Sequence, residues 1–198
     1  ITNEIKDRIK KVASVSAAEI VIIEIGGTVG DIESLPFLEA ARQFRLDMGY
    51  ENVLYIHLTL VPFIKVAGEI KTKPTQHSVG TLREIGIQPD VLICRTEKSL
   101  SDEVKEKISL FCNIKKEAVI EAKDVESIYE IPLVFKQQGL DKILLKHFKI
   151  TCNIFDLKEW RKKVVSRSLN PKNKVKIAFV GKYIGLQDAY KSVYEALI

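Results

Sequence analysis

The sequence has few cysteines and no long apolar run, and each absence excludes a class of protein. Cys94, Cys112 and Cys152 are the only cysteines among 198 residues. Their spacing is too wide for a CxxC-type metal site, and three cysteines do not make a disulfide framework. No apolar stretch approaches the roughly 20 residues that cross a membrane, and the first residues are charged rather than signal-like. We therefore predict a cytoplasmic protein with no membrane partner.

The chain also lacks an organised basic surface, although its net charge is +5. Between Lys158 and Lys176 there are eight basic residues and one acidic residue, so the positive charge is local. A nucleic-acid interface would place such residues on one face with aromatic side chains or a recognition helix. This run offers only Trp160, so we interpret it as a solvated linker and predict no nucleic-acid partner.

A phosphate-binding loop is a further absence. Gly181 and Lys182 resemble the end of such a loop, but Lys176 stands where the motif needs its first glycine, and Tyr183 replaces the required serine or threonine. The dipeptide is therefore not a nucleotide-binding motif.

Residues 20–33 form the most informative stretch that is present. Residues 20–25 are apolar and β-branched, which predicts a buried strand of a parallel sheet. Glu24 interrupts this run, and a buried carboxylate is costly unless it is paired or bound to a metal. It lies near the predicted carboxyl end of the strand, where open α/β sheets bind ligands, so Glu24 is a candidate Mg²⁺ ligand.

Glycines and acidic residues follow this strand. Gly26, Gly27 and Gly30 would let the backbone approach a ligand closely. The alternative is a tight turn that leads into a helix, with Asp31 and Glu33 placed to suit the helix dipole. The residues alone leave both interpretations open.

A second informative stretch covers residues 68–77. Lys71 and Lys73 surround a threonine and precede Pro74, just before a predicted helix. Lysine ammonium groups and the N–H groups at a helix amino end both suit phosphates. The alternative is an exposed basic loop that is capped by Thr75.

The remaining pattern alternates strands and helices, which predicts an α/β fold with a mostly parallel sheet flanked by helices. His57 lies in one of these strands and is expected to be a satisfied core residue. The predicted strands cover residues 52–61, 91–94, 118–122 and 175–180. The predicted helices cover residues 3–15, 36–48, 101–111, 127–138, 140–148 and 188–198, and one more follows Pro74 and runs to about residue 84.

Three segments resemble the CTP synthase family. They are GGTVGDIESLPFLEA from Gly26, KTKPTQHSV from Lys71, and VGKYIGLQDAYKSVYEAL from Val180. The resemblance implies a Rossmann-like P-loop amidoligase (synthetase) domain, incomplete, over residues 1–150. It further implies an interdomain linker over 151–174 and the first strand and helix of a second α/β domain, the glutamine amidotransferase domain, over 175–198. The chain begins at Ile1 rather than Met, so we expect an interior fragment without the phosphate-binding loop and the glutaminase triad.

The resemblance also implies a reaction and its partners. CTP synthases use ATP and Mg²⁺ to aminate UTP with ammonia from glutamine, are inhibited by CTP, respond to GTP through the amidotransferase domain, and form homo-tetramers. Carried over residue by residue, Lys71 and Lys73 become catalytic and Glu24 binds the metal, while Lys123, Asp124 and Val125 bind ATP. The expected UTP and CTP contacts are Asp31, Ile32, Glu33, Lys71, Thr72, Lys73, Pro74, Thr75, Gln76, Lys107 and Phe111.

Other functions remain open from the sequence. The chain could be a non-catalytic nucleotide-binding or assembly module. A dethiobiotin-synthetase-like ligase would not explain the KTKPTQ segment or the tail that resembles an amidotransferase. Nucleic-acid binding through the basic run has the least support.

Overall fold

A computed structural model describes residues 1–152 and 156–197 of the chain. Residues 153–155 of the predicted linker, and residue 198 of the predicted last helix, lie outside the described residues. The described residues form two compact units. The first unit contains residues 1–124 and 134–152, and the second contains residues 125–133 and 156–197.

The first unit is built on a parallel sheet, which confirms the predicted fold class. Its strands are β1 (Ile56–Leu60), β4 (Val91–Thr96) and β5 (Val119–Lys123), in the order β1-β4-β5. Leu58 is paired with Ile93 and Cys94 with Glu121, both in parallel register. The short strands β2 (Phe63–Ile64) and β3 (Glu69–Ile70) form an antiparallel hairpin that follows β1.

Helices connect and cover these strands. They are α1 (Thr2–Ser16), α2 (Leu35–Met48), α3 (Lys73–Ile85), α4 (Asp102–Cys112), α5 (Ile131–Gln137) and α6 (Leu140–His147). Local signals explain their ends: Pro74 occupies the first turn of α3, and Gly86 ends that helix in the left-handed conformation with φ 94°. The Val104 N–H donates to Ser101 Oγ at 3.3 Å and caps α4.

The core lies between β4, β5 and the helices that pack on them. Val91, Leu92 and Cys94 of β4 are inaccessible to solvent, as are Ile108 and Cys112 of α4. Full burial of each large aliphatic side chain contributes about 1.5–3 kcal/mol. The central strand is therefore the best-anchored element of this unit.

The outer edge of β5 is closed by a side chain. Gln138 Oε1 accepts from the Glu121 N–H at 2.8 Å, and Gln138 Nε2 donates to the Glu121 carbonyl at 2.6 Å. A glutamine amide carries one acceptor and two donors, so it can pair with both polar groups of a strand residue.

The prediction of a buried strand over residues 20–25 was wrong. These residues have no regular secondary structure, Ile22 is 92% exposed and Glu24 is also exposed. Strand β1 turns Leu58, which is 64% exposed, toward the same side. Strands pair only when their backbones lie about 4.8 Å apart, and no ladder joins residues 20–25 to β1 in the described part of the chain.

The second unit contains short helices. They are α7 (Lys158–Trp160), a π-helical turn (Arg161–Val165), α8 (Ser166–Leu169) and, after a 3₁₀ turn (Gln187–Tyr190), α9 (Lys191–Leu197). The predicted linker is thus helical over residues 158–169. Trp160 Nε1 donates to the Tyr129 carbonyl at 2.8 Å, which ties this helical segment to the rest of its unit.

The predicted strand over residues 175–180 is also absent, whereas the last helix is confirmed up to Leu197. Val175 and Val180 are exposed, and Phe179 packs with its ring centroid 4.9 Å from that of Tyr190 and 5.5 Å from that of Tyr194. The segment has no neighbouring strand in the described residues with which to form a ladder. No helix within residues 1–152 and 156–197 is long and apolar enough to cross a lipid bilayer.

Candidate functional site

The carboxyl ends of the three parallel strands meet at one edge of the sheet. Leu60, Thr96 and Lys123 end these strands. Backbone hydrogen bonds join the segments beyond them: the Val61 N–H donates to the Arg95 carbonyl at 2.8 Å, and the Asp124 N–H donates to the Thr96 carbonyl at 3.0 Å. Because open α/β sheets bind ligands beyond the carboxyl ends of their strands, we take this edge as the candidate site.

The β2–β3 hairpin brings two lysines to this edge. The Lys71 N–H donates to the Pro62 carbonyl at 2.9 Å, so the loop returns to the end of β1. Lys71 Nζ forms an ion pair with Glu69, and both side chains are about half exposed. Lys73, the first residue of α3, is exposed. Two solvent-accessible ammonium groups therefore lie at the amino end of a helix, an arrangement that suits an anion.

The polar neighbours of these lysines form hydrogen bonds within the protein. Thr72 is buried, and its Oγ1 accepts from Gln76 Nε2 at 3.0 Å. Thr75 is completely buried, and its Oγ1 donates to the Leu60 carbonyl at 3.2 Å. The cap that the alternative interpretation assigned to Thr75 is therefore wrong, because Thr75 lies inside the first turn of α3 and bonds to β1 instead. Lys71 and Lys73 remain the accessible charged groups of the motif.

Lys123 and Asp124 also lie at this edge. Both are exposed, and Asp124 Oδ1 accepts from Arg95 Nε at 3.4 Å. Arg95 places a third cationic side chain near the ends of β4 and β5, which the sequence analysis missed. An arginine directly after the end of a predicted buried strand, residues 91–94, was the available signal. Val125 belongs to the second unit.

Residues 26–34, which we call the glycine loop, lie beside the second half of α3. Gly27 and Gly30 have φ values of +89° and +104°, which favour glycine. A β-carbon on Gly30 would lie 3.7 Å from Thr81 Cγ2. Thr81 follows Lys73 by eight residues, which is about 12 Å of helix. The structure therefore separates this loop from the Lys71–Gln76 segment.

The acidic residues of the glycine loop have local partners. Asp31 Oδ2 accepts from the Thr28 N–H at 2.8 Å, and Ser34 Oγ donates to the Asp31 carbonyl at 2.8 Å. These bonds form a turn of the kind that aspartate side chains stabilise. Ile32 and Glu33 are exposed.

The structure places Lys107 and Phe111 on α4, exposed to solvent. Helix α4 begins at the carboxyl edge of the sheet and returns the chain to the start of β5. Phe111 is nine residues beyond Asp102, or about 14 Å along the helix. We call residues 71–76, which lead into α3 and form its first turn, the lysine loop. The fold of one chain does not bring Phe111 to the lysine loop.

Glu24 lines a large apolar cavity, which we call the apolar trough. Its volume is about 1920 Å³, and it is lined by residues 18–29, β1 and parts of α1, α2 and α3. Glu24 and Pro74 both line it, whereas Lys71 and Lys73 do not. Ligand pockets usually measure about 300–1,000 Å³. The trough is larger and mainly aliphatic, so the lysine loop is the better candidate for binding phosphates.

One carboxylate at Glu24 is compatible with magnesium chemistry. Mg²⁺ is usually held by one or two carboxylates together with substrate phosphates and water. In the described ranges, no three His, Cys, Asp or Glu side chains cluster as a metal site. Glu24 therefore fits as one oxygen ligand of an ion whose other ligands come from a nucleotide and water.

The inner face of β1 is polar and holds α3. His57 Nε2 lies 2.8 Å from Ser78 Oγ, which confirms that His57 is a satisfied, partly buried residue. Burial lowers the pKa of His57 from its ordinary value of 6.5. Two residues later, Thr59 Oγ1 donates to Thr75 Oγ1 at 3.2 Å. The sequence pattern of this strand indicated no role for Thr59.

Comparison with known proteins assigns the chain to a family. The sequence model described as CTP synthase N-terminus matches residues 1–150. CTP synthases of Methanocaldococcus jannaschii and Carboxydothermus hydrogenoformans are both 60% identical to the chain, and that of Latilactobacillus sakei is 59% identical. Each match covers 100% of this chain but only 36–37% of the relative.

These matches confirm the family but not the narrower prediction of an interior fragment, since the matching model describes the N-terminal region of the enzyme. The chain spans about 36% of the length of the curated relatives that it matches. With a family model over 150 residues and 60% identity along its whole length, the chain belongs to the CTP synthase family.

Proposed function

We propose that the chain forms part of a CTP synthase that uses ATP to phosphorylate UTP and then replaces the phosphate with ammonia derived from glutamine. The observation that carries this proposal is the Lys71–Gln76 loop, which presents two exposed lysines at the amino end of α3. The family assignment supports the same function. A homo-tetrameric assembly, inhibition by CTP and control by GTP belong to this proposal.

The lysine loop would bind the triphosphate and orient the pyrimidine. Phosphoryl transfer depends mainly on positioning and on neutralising charge. Lys71 and Lys73 supply mobile positive charges, and the first N–H groups of α3 lie at the same end of the helix. Lys107 and Phe111 belong to the same proposed UTP and CTP site, as do Asp31, Ile32 and Glu33. Because the structure separates these groups within one chain, a complete site would need them from more than one chain.

The second nucleotide would bind beyond β5. Lys123 ends this strand and Asp124 and Val125 follow it, where family members are expected to contact ATP largely through the backbone. Glu24 would contribute one ligand to Mg²⁺, which when bound neutralises phosphate charge. Glu24 lines the trough, whereas the two lysines do not. Its proposed role is therefore to hold the ion rather than to contact the pyrimidine.

The lysine assignment is tested by Lys71→Ala and Lys73→Ala in the full-length enzyme. Each charge-assisted hydrogen bond contributes about 1.5–3 kcal/mol, so the double variant should raise the KM for UTP by more than about tenfold. Lys65→Ala, at an exposed lysine of the same hairpin connection, is the matched control. An unchanged KM for UTP in the double variant would make the loop an ordinary basic surface.

The metal assignment is tested by Glu24→Ala, with Glu19→Ala as a control at an exposed glutamate of the same segment. Glu24→Ala should abolish Mg²⁺-dependent phosphorylation of UTP while glutamine hydrolysis stays measurable. Sustained CTP formation by this variant would refute the assignment of Glu24.

A second candidate function is nucleotide binding or assembly without catalysis, since the chain spans only part of the length of its relatives. Calorimetric titration of the chain with UTP, CTP and ATP distinguishes the two functions. Binding without turnover, combined with an inactive full-length protein, would favour the module, whereas CTP formation by the full-length protein favours the enzyme.

A further inference from the structure

The lysine loop is held in place by a polar seam between β1 and α3. His57 and Thr59 are two residues apart on β1 and therefore project from the same face of the strand. Ser78 and Thr75 are three residues apart on α3 and lie on the same helix face. The two pairs meet, with His57 Nε2 at 2.8 Å from Ser78 Oγ and Thr59 Oγ1 at 3.2 Å from Thr75 Oγ1.

Because both threonines are buried, their hydrogen bond favours one position of α3 along β1. Thr75 is inaccessible to solvent and Thr59 is 8% exposed. A buried hydroxyl that loses its partner retains its desolvation cost, so alternative placements of the helix are disfavoured. A shift of α3 by one residue would separate both pairs, whereas aliphatic contacts such as those of Val79 tolerate small shifts more easily. Thr75 also donates to the Leu60 carbonyl, which connects the seam to the end of β1.

Thr75 constrains the backbone at the two lysines because they are close to it in the chain. Thr75 lies two residues after Lys73 and four residues after Lys71. Two further hydrogen bonds restrict the conformation of this segment. Gln76 Nε2 donates to Thr72 Oγ1, and the Lys71 N–H donates to the Pro62 carbonyl. The backbone from Lys71 to Thr75 is therefore anchored at both ends to the carboxyl end of β1.

We infer that Thr59 is a positioning residue for nucleotide binding: through Thr75 it fixes the backbone that carries the Lys71 and Lys73 side chains. Thr59 is buried beneath the loop and touches no ligand in this scheme. The inference rests on the proposed role of the lysine loop in binding UTP. Charge-assisted hydrogen bonds weaken when donor and acceptor are misaligned, so a neutral, buried hydroxyl can control binding by the charged groups that follow it in the chain.

The test is Thr59→Val in the full-length enzyme, which removes the hydroxyl and nearly conserves the volume. We expect the KM for UTP to rise about tenfold, while kcat, the KM for ATP and glutamine hydrolysis stay within about twofold. Thr59→Ser restores the hydroxyl and should return the KM for UTP to within about twofold of the original value. Thr151→Val makes the same change at an exposed threonine and is the matched control.

A purely structural role for Thr59 gives a different result. It would lower the melting temperature and the amount of active enzyme, and so reduce Vmax without changing the KM for UTP. That result, or a KM that Thr59→Ser does not restore, overturns the inference. If Thr59→Val does not accumulate as folded enzyme, Thr59→Ala undergoes the same measurements.

The lysine variants separate this inference from the proposed function. If Lys71→Ala with Lys73→Ala leaves the KM for UTP unchanged, the proposed function fails. If that double variant raises the KM and Thr59→Val does not, only the positioning role fails. With both lysines already replaced, Thr59→Val should add less than about twofold, because the groups that it positions are gone.

Discussion

The three thiols should differ sharply in reactivity. Burial raises the pKa of Cys94 to about 12 and that of Cys112 to about 11, so both stay protonated at neutral pH, whereas Cys152 is exposed. The thiolate is the reactive form. Titration of the folded chain with a chromogenic disulfide at pH 8 should therefore show one fast thiol, and three should react in denaturant.

Cys152→Ser provides the control for this titration. The variant should lose the fast phase and retain two thiols that react only after unfolding. A second fast thiol in the unmodified chain would show that Cys94 or Cys112 is accessible.

Individual residues were predictable where their behaviour depends on local sequence. The exposed lysines of KTKPTQ and the satisfied His57 follow from residue type and position, and the structure agrees. The partnership of Thr59 with Thr75 was not predictable, because it joins residues 16 positions apart across two elements. Glu24 was expected at a buried strand end and is exposed instead, because its segment does not pair with β1.

His57 should make stability depend on pH. Burial lowers its pKa in the folded state below 6.5, so the unfolded chain binds the proton more readily. The associated stability is fully present above about pH 6.5 and is lost as the pH falls through the lowered pKa of the folded state. Urea midpoints at pH 7.5 and pH 5 should therefore differ more for the original chain than for His57→Gln. Equal differences would indicate that other groups carry the pH dependence.

At the scale of elements, strands formed where their partners are present. β1, β4 and β5 were predicted from short apolar runs, and they satisfy one another. Residues 20–25 and 175–180 are also mainly apolar, yet neither forms a ladder in the described ranges. Propensity is a local property, whereas pairing depends on a neighbour at the right distance, so sequence pattern alone could not separate the two groups.

Asp90 should be the most sensitive polar residue between α2 and β4. It forms an ion pair with Arg45, with the two side chains 13% and 14% exposed, and it accepts from the Tyr55 N–H at 2.7 Å and from the Tyr50 hydroxyl at 2.9 Å. Breaking a buried pair leaves an uncompensated charge, so Asp90→Asn should lower the free energy of unfolding by about 3–5 kcal/mol.

Denaturant unfolding measures this loss. The control is Glu4→Gln, which breaks the exposed pair with Arg8 and should cost less than about 1 kcal/mol. Similar losses for the two variants would place Asp90 among ordinary surface charges.

At the scale of the whole molecule, the apolar trough is an unusual exposed apolar surface. Leu58 and Ile22 line it and are exposed. Apolar patches of this kind bind hydrophobic dyes. The folded chain should therefore enhance the fluorescence of anilinonaphthalene sulfonate, and Leu58→Ser with Ile22→Ser should remove about half of that enhancement or more.

Leu46→Ser is the matched control, because Leu46 is an exposed leucine outside the trough. It should change the dye signal by less than about one fifth. An equal effect of Leu46→Ser would mean that the dye binds scattered surface residues.

The Gln138 amide should direct intermolecular strand pairing to the opposite edge of the sheet. By occupying both polar groups of Glu121, it acts as a single rung of a fourth strand and blocks an incoming peptide at that position. Strand β1 is the other edge of this sheet in the described residues. Misassembly of this chain into intermolecular β-structure should consequently start at β1 and spread away from β5.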